Sequence, residues 1–253
     1  GLPTGGGARA RGEVGTGPVA GVFFPACIDA MFGPEAGGTG ADAALAELCV
    51  RAGVTLTVPA KVGGLCCGTP WKSKGYRAGY HTMTAKTLAA LWEASDAGRL
   101  PVVCDASSCT EGLLEMARAK HPELRLLDAP TFALEVLLPR LTVTQRLGSV
   151  AVHPTCSTTQ LGSTPDLVAV CEAFADRVEV PRDWGCCGFA GDRGMLHPEL
   201  TASATAREAA AVRAGQHDAY ASSNRTCEIG LTRATGQPYR HVLELLEEAT
   251  RPR

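Results

Sequence analysis

The chain carries 11 cysteines in 253 residues, and eight of them follow a pattern that occurs twice. In the first half Cys27 is followed by Cys66-Cys67 and then Cys109, a spacing of C-x38-CC-x41-C. In the second half Cys156 is followed by Cys186-Cys187 and then Cys227, a spacing of C-x29-CC-x39-C. The flanks match as well. Val22-Phe23-Phe24-Pro25-Ala26-Cys27 has the plan of Val150-Ala151-Val152-His153-Pro154-Thr155-Cys156: an apolar run, Pro, one residue, Cys. Gly64-Leu65-Cys66-Cys67-Gly68 pairs with Trp184-Gly185-Cys186-Cys187-Gly188, and the stretch 105–113 pairs with 223–231. One such run could be chance; the same run twice in the same order is an internal repeat.

An odd cysteine count, with no charged-then-apolar leader, makes a poor disulfide framework. Clustered thiols in a reducing compartment bind metal or do redox chemistry. Four thiolates without a companion histidine suit an iron–sulfur cluster or a zinc ion. Zinc ribbons use close C-x₂-C pairs, which are absent, and adjacent cysteines would strain one small tetrahedron. A cluster is larger, so neighbouring thiolates could reach different irons. Gly185, Gly188, Gly191 and Gly194 recur at every third position around the second pair, and Gly63, Gly64 and Gly68 surround the first. Such glycines let backbone N–H groups approach and donate to sulfur. Cys109 and Cys227 are expected where helices begin, where free N–H groups and the helix dipole favour thiolate.

Other residues draw plainer readings. Cys49 and Cys171 fall at apolar helical positions and read as buried core thiols. Cys104 reads as a core thiol on a strand or as a fifth ligand. His153 reads as a satisfied polar residue at a strand end, or as a proton donor beside the second cysteine group. Asp29, Glu111, Asp192, Arg193 and Glu228 are expected in salt bridges and caps, and Trp71 and Trp184 as shields over the cysteine pairs.

The elements that must position these residues alternate. Strands are predicted at 19–24, 54–58, 101–106 and 124–129, with helices at 44–52 (closed by Gly53), 76–97, 107–120 and 130–139. The order restarts with a strand at 149–154, a helix at 165–176, a strand at 177–180, a helix at 198–215 and a strand at 217–223. Helices at 225–236 and 239–250 close the chain. Alternation of this kind predicts an α/β fold: two pseudo-repeated, Rossmann-like parallel-sheet units with helices on the faces. Sites in such folds form at the carboxyl ends of the strands. Residues 1–18 hold seven glycines and two prolines and read as a flexible linker. Residues 19–148 and 149–253 are then the two repeats. The chain begins at Gly1 rather than Met, which predicts a piece of a longer protein.

Charge is nearly balanced, with 24 basic and 26 acidic residues and a net charge of −2. The densest basic runs are Arg9-Ala10-Arg11 and Lys72-Ser73-Lys74, which argues against a nucleic-acid binder. No run approaches the ~18 apolar residues that a membrane helix needs.

The phrases VFFPACI, CCGTP, CDASSCTEGL, HPTCS, CCGFAGDRG and SNRTCEIGL resemble the cysteine-rich CCG domain, present twice over roughly residues 19–250. That domain is found in the cysteine-rich subunit of heterodisulfide reductase, in the iron–sulfur subunits of glycolate oxidase and anaerobic glycerol-3-phosphate dehydrogenase, and in lactate-utilisation proteins. The chain most resembles the iron–sulfur part of FAD-linked D-lactate dehydrogenases. The resemblance implies one iron–sulfur cluster per repeat, of 4Fe–4S type, on Cys27, Cys66, Cys67 and Cys109 and on Cys156, Cys186, Cys187 and Cys227. It implies electron transfer from a flavin that oxidises a 2-hydroxy acid to a quinone or cytochrome. FAD and a ferredoxin-type domain would lie upstream or on a partner chain, and the protein would be cytoplasmic or peripheral at the inner membrane face. A heterodisulfide-reducing site with His153 as acid, or a zinc-bound scaffold, are the competing functions. The heterodisulfide branch ends each motif with C-x₂-C; here Ala106 and Asn224 replace its first cysteine, which favours four-cysteine sites.

Overall fold

The computed structural model describes residues 3–252; residues 1, 2 and 253 lie outside it. Nine strands form two sheets among the described residues. The first sheet contains β1 (Glu13–Gly15), β2 (Val19–Phe24), β3 (Thr55–Thr57), β4 (Val102–Cys104) and β5 (Leu126–Asp128), in the order β1-β3-β2-β4-β5. Only β1 runs antiparallel, against β3. The second sheet contains β6 (Leu147–Val152), β7 (Ala175–Glu179), β8 (Ala219–Ser222) and β9 (Tyr239–His241), all parallel, in the order β7-β6-β8-β9. Apart from β1 the two orders are the same, so the sequence repeat is a repeat of topology. The expected α/β architecture of parallel units with helices on the faces is what the chain adopts.

Twelve α-helices accompany the strands among the described residues. In the first half they are α1 (Cys27–Met31), α2 (Ala41–Ala52), α3 (Thr69–Ser73), α4 (Arg77–Ala94), α5 (Ser107–Ala117) and α6 (Ala129–Phe132). In the second they are α7 (Cys156–Leu161), α8 (Thr164–Phe174), α9 (Arg193–Leu196), α10 (Pro198–Ala214), α11 (Arg225–Thr235) and α12 (Val242–Ala249). Helix α2 buries Ala44, Leu45, Leu48 and Ala52 along one stripe, and Gly53 ends it in the left-handed conformation at φ 65°. The largest apolar cluster crosses the seam between halves. Leu45, Leu48 and Phe132 meet Phe174, Leu243 and Leu246, all fully buried. At about 1.5–3 kcal/mol per such side chain, this shared core holds the two sheets as one body.

Three expectations are corrected. Residues 1–18 are not a flexible linker throughout: Glu13–Gly15 pairs with β3, and Arg9 donates to the carbonyls of Pro25 (2.7 Å) and Leu65 (2.9 Å). Backbone pairing and one half-buried guanidinium order a glycine-rich stretch that has almost no apolar surface of its own. The last predicted helix begins three residues late, because Tyr239–His241 forms β9, the counterpart of β5. Strand β7 starts at Ala175, inside the predicted helix 165–176. No helix among the described residues is long and apolar enough to cross a membrane.

Candidate metal centres

Each of the eight repeat cysteines sits just past the carboxyl end of a parallel strand. Cys27 opens α1 after β2, and Cys156 opens α7 after β6. The two Cys-Cys pairs lie in the loops after β3 and β7. Cys109 and Cys227 fall in the first turns of α5 and α11, as expected from the sequence. In the first pair Gly68, at φ 84°, turns the chain into α3, a conformation costly to any side chain.

The structure brings the expected cysteines together four by four. In the first half Cys27 and Cys67 lie beside Cys66, and Cys109 lies beside Cys67. In the second half Cys187 donates to Cys227 at 3.1 Å, and Cys156 lies beside Cys186. The glycine after each pair supplies a backbone donor: Gly68 N–H to Cys66 Sγ at 3.5 Å and Gly188 N–H to Cys186 Sγ at 3.4 Å. These N–H groups and the neighbouring thiols favour ionisation of Cys66 and Cys186. Cys27, then Cys67, lower Cys66 to about 3, and Cys156, then Cys187, lower Cys186 to about 2. Their neighbours Cys27 and Cys156 are pushed up in turn.

Cys104 lies beside Cys109 and so adjoins the first group. Cys49 and Cys171 are buried in the shared core and touch neither group. The thiols touch one another rather than standing around a common centre, and no group of three or more His, Cys, Asp or Glu among the described residues has the arrangement of a metal site. The donor set itself fits a thiolate-bound group: four sulfurs per half, backbone N–H donors, and no carboxylate within the set.

The halves differ in ways the repeat does not reveal. Cys156 and Cys186 are exposed, whereas Cys27 and Cys66 are half-buried. His153, where the first half has Phe24, is fully buried, and its Nδ1 meets Glu208 Oε1 of α10 at 2.7 Å. Burial opposes charge on this ring, but Cys227 and then Glu208 outweigh it and raise His153 to about 9. Cys187 donates to Cys227 and, against burial, lowers it to about 6 with the help of His153 and Asn224. In the first half the corresponding Cys109, beside Cys104 and Cys67 and buried, is pushed up.

Sequence reasoning missed Glu208, Asn224 and Phe189. Phe189 is fully buried against Cys187 and Cys227. It is the aromatic cover expected of a tryptophan, since Trp71 is 36% exposed and stacks edge-on to Tyr76 instead. Its place two residues after the second pair was the one available signal. Of the acidic residues, Asp192 pairs with Lys74 across the seam at 2.7 Å, Glu111 accepts from Ser157 at 2.7 Å, and Glu228 pairs with Arg225 at 3.3 Å. Asp29 Oδ2 is buried without a partner.

Two mainly parallel sheets, each presenting four thiols past its strand ends, define a duplicated cysteine-rich module. The "Cysteine-rich domain" family, CCG, matches residues 22–113 and again 150–232. The chain belongs to this family. It is 26% identical to lactate utilization protein A of Macrococcus caseolyticus (strain JCSC5402) over 184 residues, covering 67% of this chain and 70% of that protein. It is 24% identical to the glycolate oxidase iron-sulfur subunit of Escherichia coli (strain K12) over 222 residues, covering 82% of this chain. The match spans 54% of that subunit's length.

Proposed function

We propose that the chain is the iron–sulfur electron-transfer module of an oxidoreductase acting on a 2-hydroxy acid, with D-lactate the first substrate to test. The observation that carries this reading is the pair of four-thiol groups at equivalent strand ends; the names of the two relatives supply the substrate class. In the proposal residues 19–148 and 149–253 are the two repeats. Cys27, Cys66, Cys67 and Cys109 hold one cluster, and Cys156, Cys186, Cys187 and Cys227 hold the other. A bound 4Fe–4S cluster supplies one-electron transfer. The chain's own residues make that possible. Four sulfurs bind, Gly68 and Gly188 N–H groups stabilise their charge, and Phe189 excludes water from Cys187 and Cys227. Glu208 meets His153 Nδ1 and fixes the ring, whose positive charge favours the thiolate of Cys227. His153 therefore serves sulfur rather than substrate. The hydride-accepting FAD, a ferredoxin-type domain and the quinone or cytochrome acceptor belong to other segments or partners.

The test is iron and acid-labile sulfide content after anaerobic reconstitution, with EPR before and after dithionite. Equal iron and sulfide, about four of each per half, is the expected result. Cys27→Ser and Cys156→Ser should each remove one signal. Cys104→Ser should remove none, since Ser222 already stands at the equivalent place on β8. Zinc without sulfide would overturn the reading.

A further inference from the structure

Asn224 stands at the N-cap of α11, a position where its side chain ordinarily accepts from a backbone N–H of the first turn. Here it caps nothing. Ser108 of the first half donates its hydroxyl to Asn224 Oδ1 at 2.8 Å, across 116 residues of sequence. Nδ2 is turned inward, donating to Thr226 Oγ1 at 2.7 Å and toward Cys227 Sγ at 3.8 Å. The equivalent N-cap of α5 is Ala106, which is fully buried and has no donor to offer Cys109. A strong capping residue thus gives up its cap, under the direction of the other half, in order to face a sulfur.

We propose that Asn224, aimed by Ser108, is a positioning residue that sets the second cysteine site at a higher reduction potential than the first, so that the second site is where electrons leave. The inference rests on the iron–sulfur reading above. Donors to ligand sulfur stabilise the reduced, more negative state, and solvent exposure acts in the same direction. Both favour the second site. Asn224 faces Cys227, where the first half offers Ala106, and Cys156 and Cys186 are exposed. In each transfer the first site is oxidised by one electron and the second is reduced by one. The electron enters from a reduced flavin-type donor and leaves to a one-electron acceptor, and no proton or bond changes hands between the sites. Ser108, next to Cys109, and Asn224, three residues before Cys227, also place a hydrogen-bonded contact between the two sites.

The experiment is a dithionite titration of the reconstituted chain at fixed pH, followed by EPR, with the two signals assigned by the Cys27→Ser and Cys156→Ser variants. The second site's midpoint should lie above the first's. Asn224→Ala should lower it by about tenfold in the reduction equilibrium, ~59 mV for one electron, and leave the first unmoved. Ser108→Ala should move the same midpoint in the same direction by less. Asn224→Asp keeps the shape, removes the donor and adds charge, and should lower the midpoint further; it is the second measurement if Asn224→Ala fails to fold. A second-site midpoint below the first, or one that Asn224→Asp leaves in place, overturns the proposal while the clusters stand. A chain that takes up no iron and sulfide overturns the iron–sulfur reading itself.

Discussion

Replacing Asp128 by Asn tests the seam that carries Cys109. Asp128 ends β5 fully buried and accepts four hydrogen bonds. They come from Ser107 Oγ (2.9 Å), Ser163 Oγ (2.9 Å), Thr110 Oγ1 (3.3 Å) and its neighbour Ala129 N–H (3.2 Å). Ser107 opens α5 and also meets Ser223 Oγ of the second half at 2.7 Å. Burial outweighs these donors and raises the carboxyl to about 6. The sign then follows from linkage. Between about pH 4 and pH 6 the native chain holds a proton that the unfolded chain has lost, so this group's contribution falls as pH rises through that window. About two pKa units correspond to ~3 kcal/mol. Asn has no proton to lose, and the three hydroxyls can rotate to satisfy its amide. Relative to wild type, Asp128→Asn should therefore gain about 3 kcal/mol between about pH 4 and pH 7.5. Urea unfolding of both metal-free chains at the two pH values measures this as a difference of differences, in which the other titrating groups cancel. A wild-type-to-variant gap that stays constant to within about 0.5 kcal/mol, or shifts the other way, would refute the assignment.

The glycines around the second cysteine pair should differ sharply in tolerance. At Gly188, φ is +68° and a Cβ would lie 2.9 Å from both Ala204 Cβ and the Leu200 carbonyl, so Gly188→Ala should cost about 2–5 kcal/mol from backbone strain and overpacking. A Cβ at Gly185 meets nothing within 4 Å, and Gly185→Ala should stay within about 0.5 kcal/mol; equal losses at both positions in denaturant melts would sink this account. His153→Phe copies the first half but strands Glu208, which is 1% exposed, at a cost of about 3–5 kcal/mol. Adding Glu208→Leu should recover most of that loss, and strictly additive losses in the double-mutant cycle would show that the two residues are not coupled.

The sequence alone determined the duplication, the recurring cysteine set and most of the sheet. Runs such as VAGVFF and PVVCDA are apolar enough to be strands wherever they occur, and cysteines tied to strand ends must come together once the strands align in parallel. β1 and β9 stayed hidden because a strand at a sheet edge needs only three paired residues, and neither Glu13–Gly15 nor Tyr239–His241 shows a local apolar pattern. The difference between the halves was hidden for a related reason. Glu208 reaches His153 from 55 residues away, and Ser108 reaches Asn224 from 116 residues away. Local pattern records what a residue does for its own helix or strand. Asn224 at an N-cap and Glu208 on a polar helix look ordinary in that record. Only the packing of one half against the other turned an amide toward Cys227, and only the seating of α10 brought a carboxylate to His153.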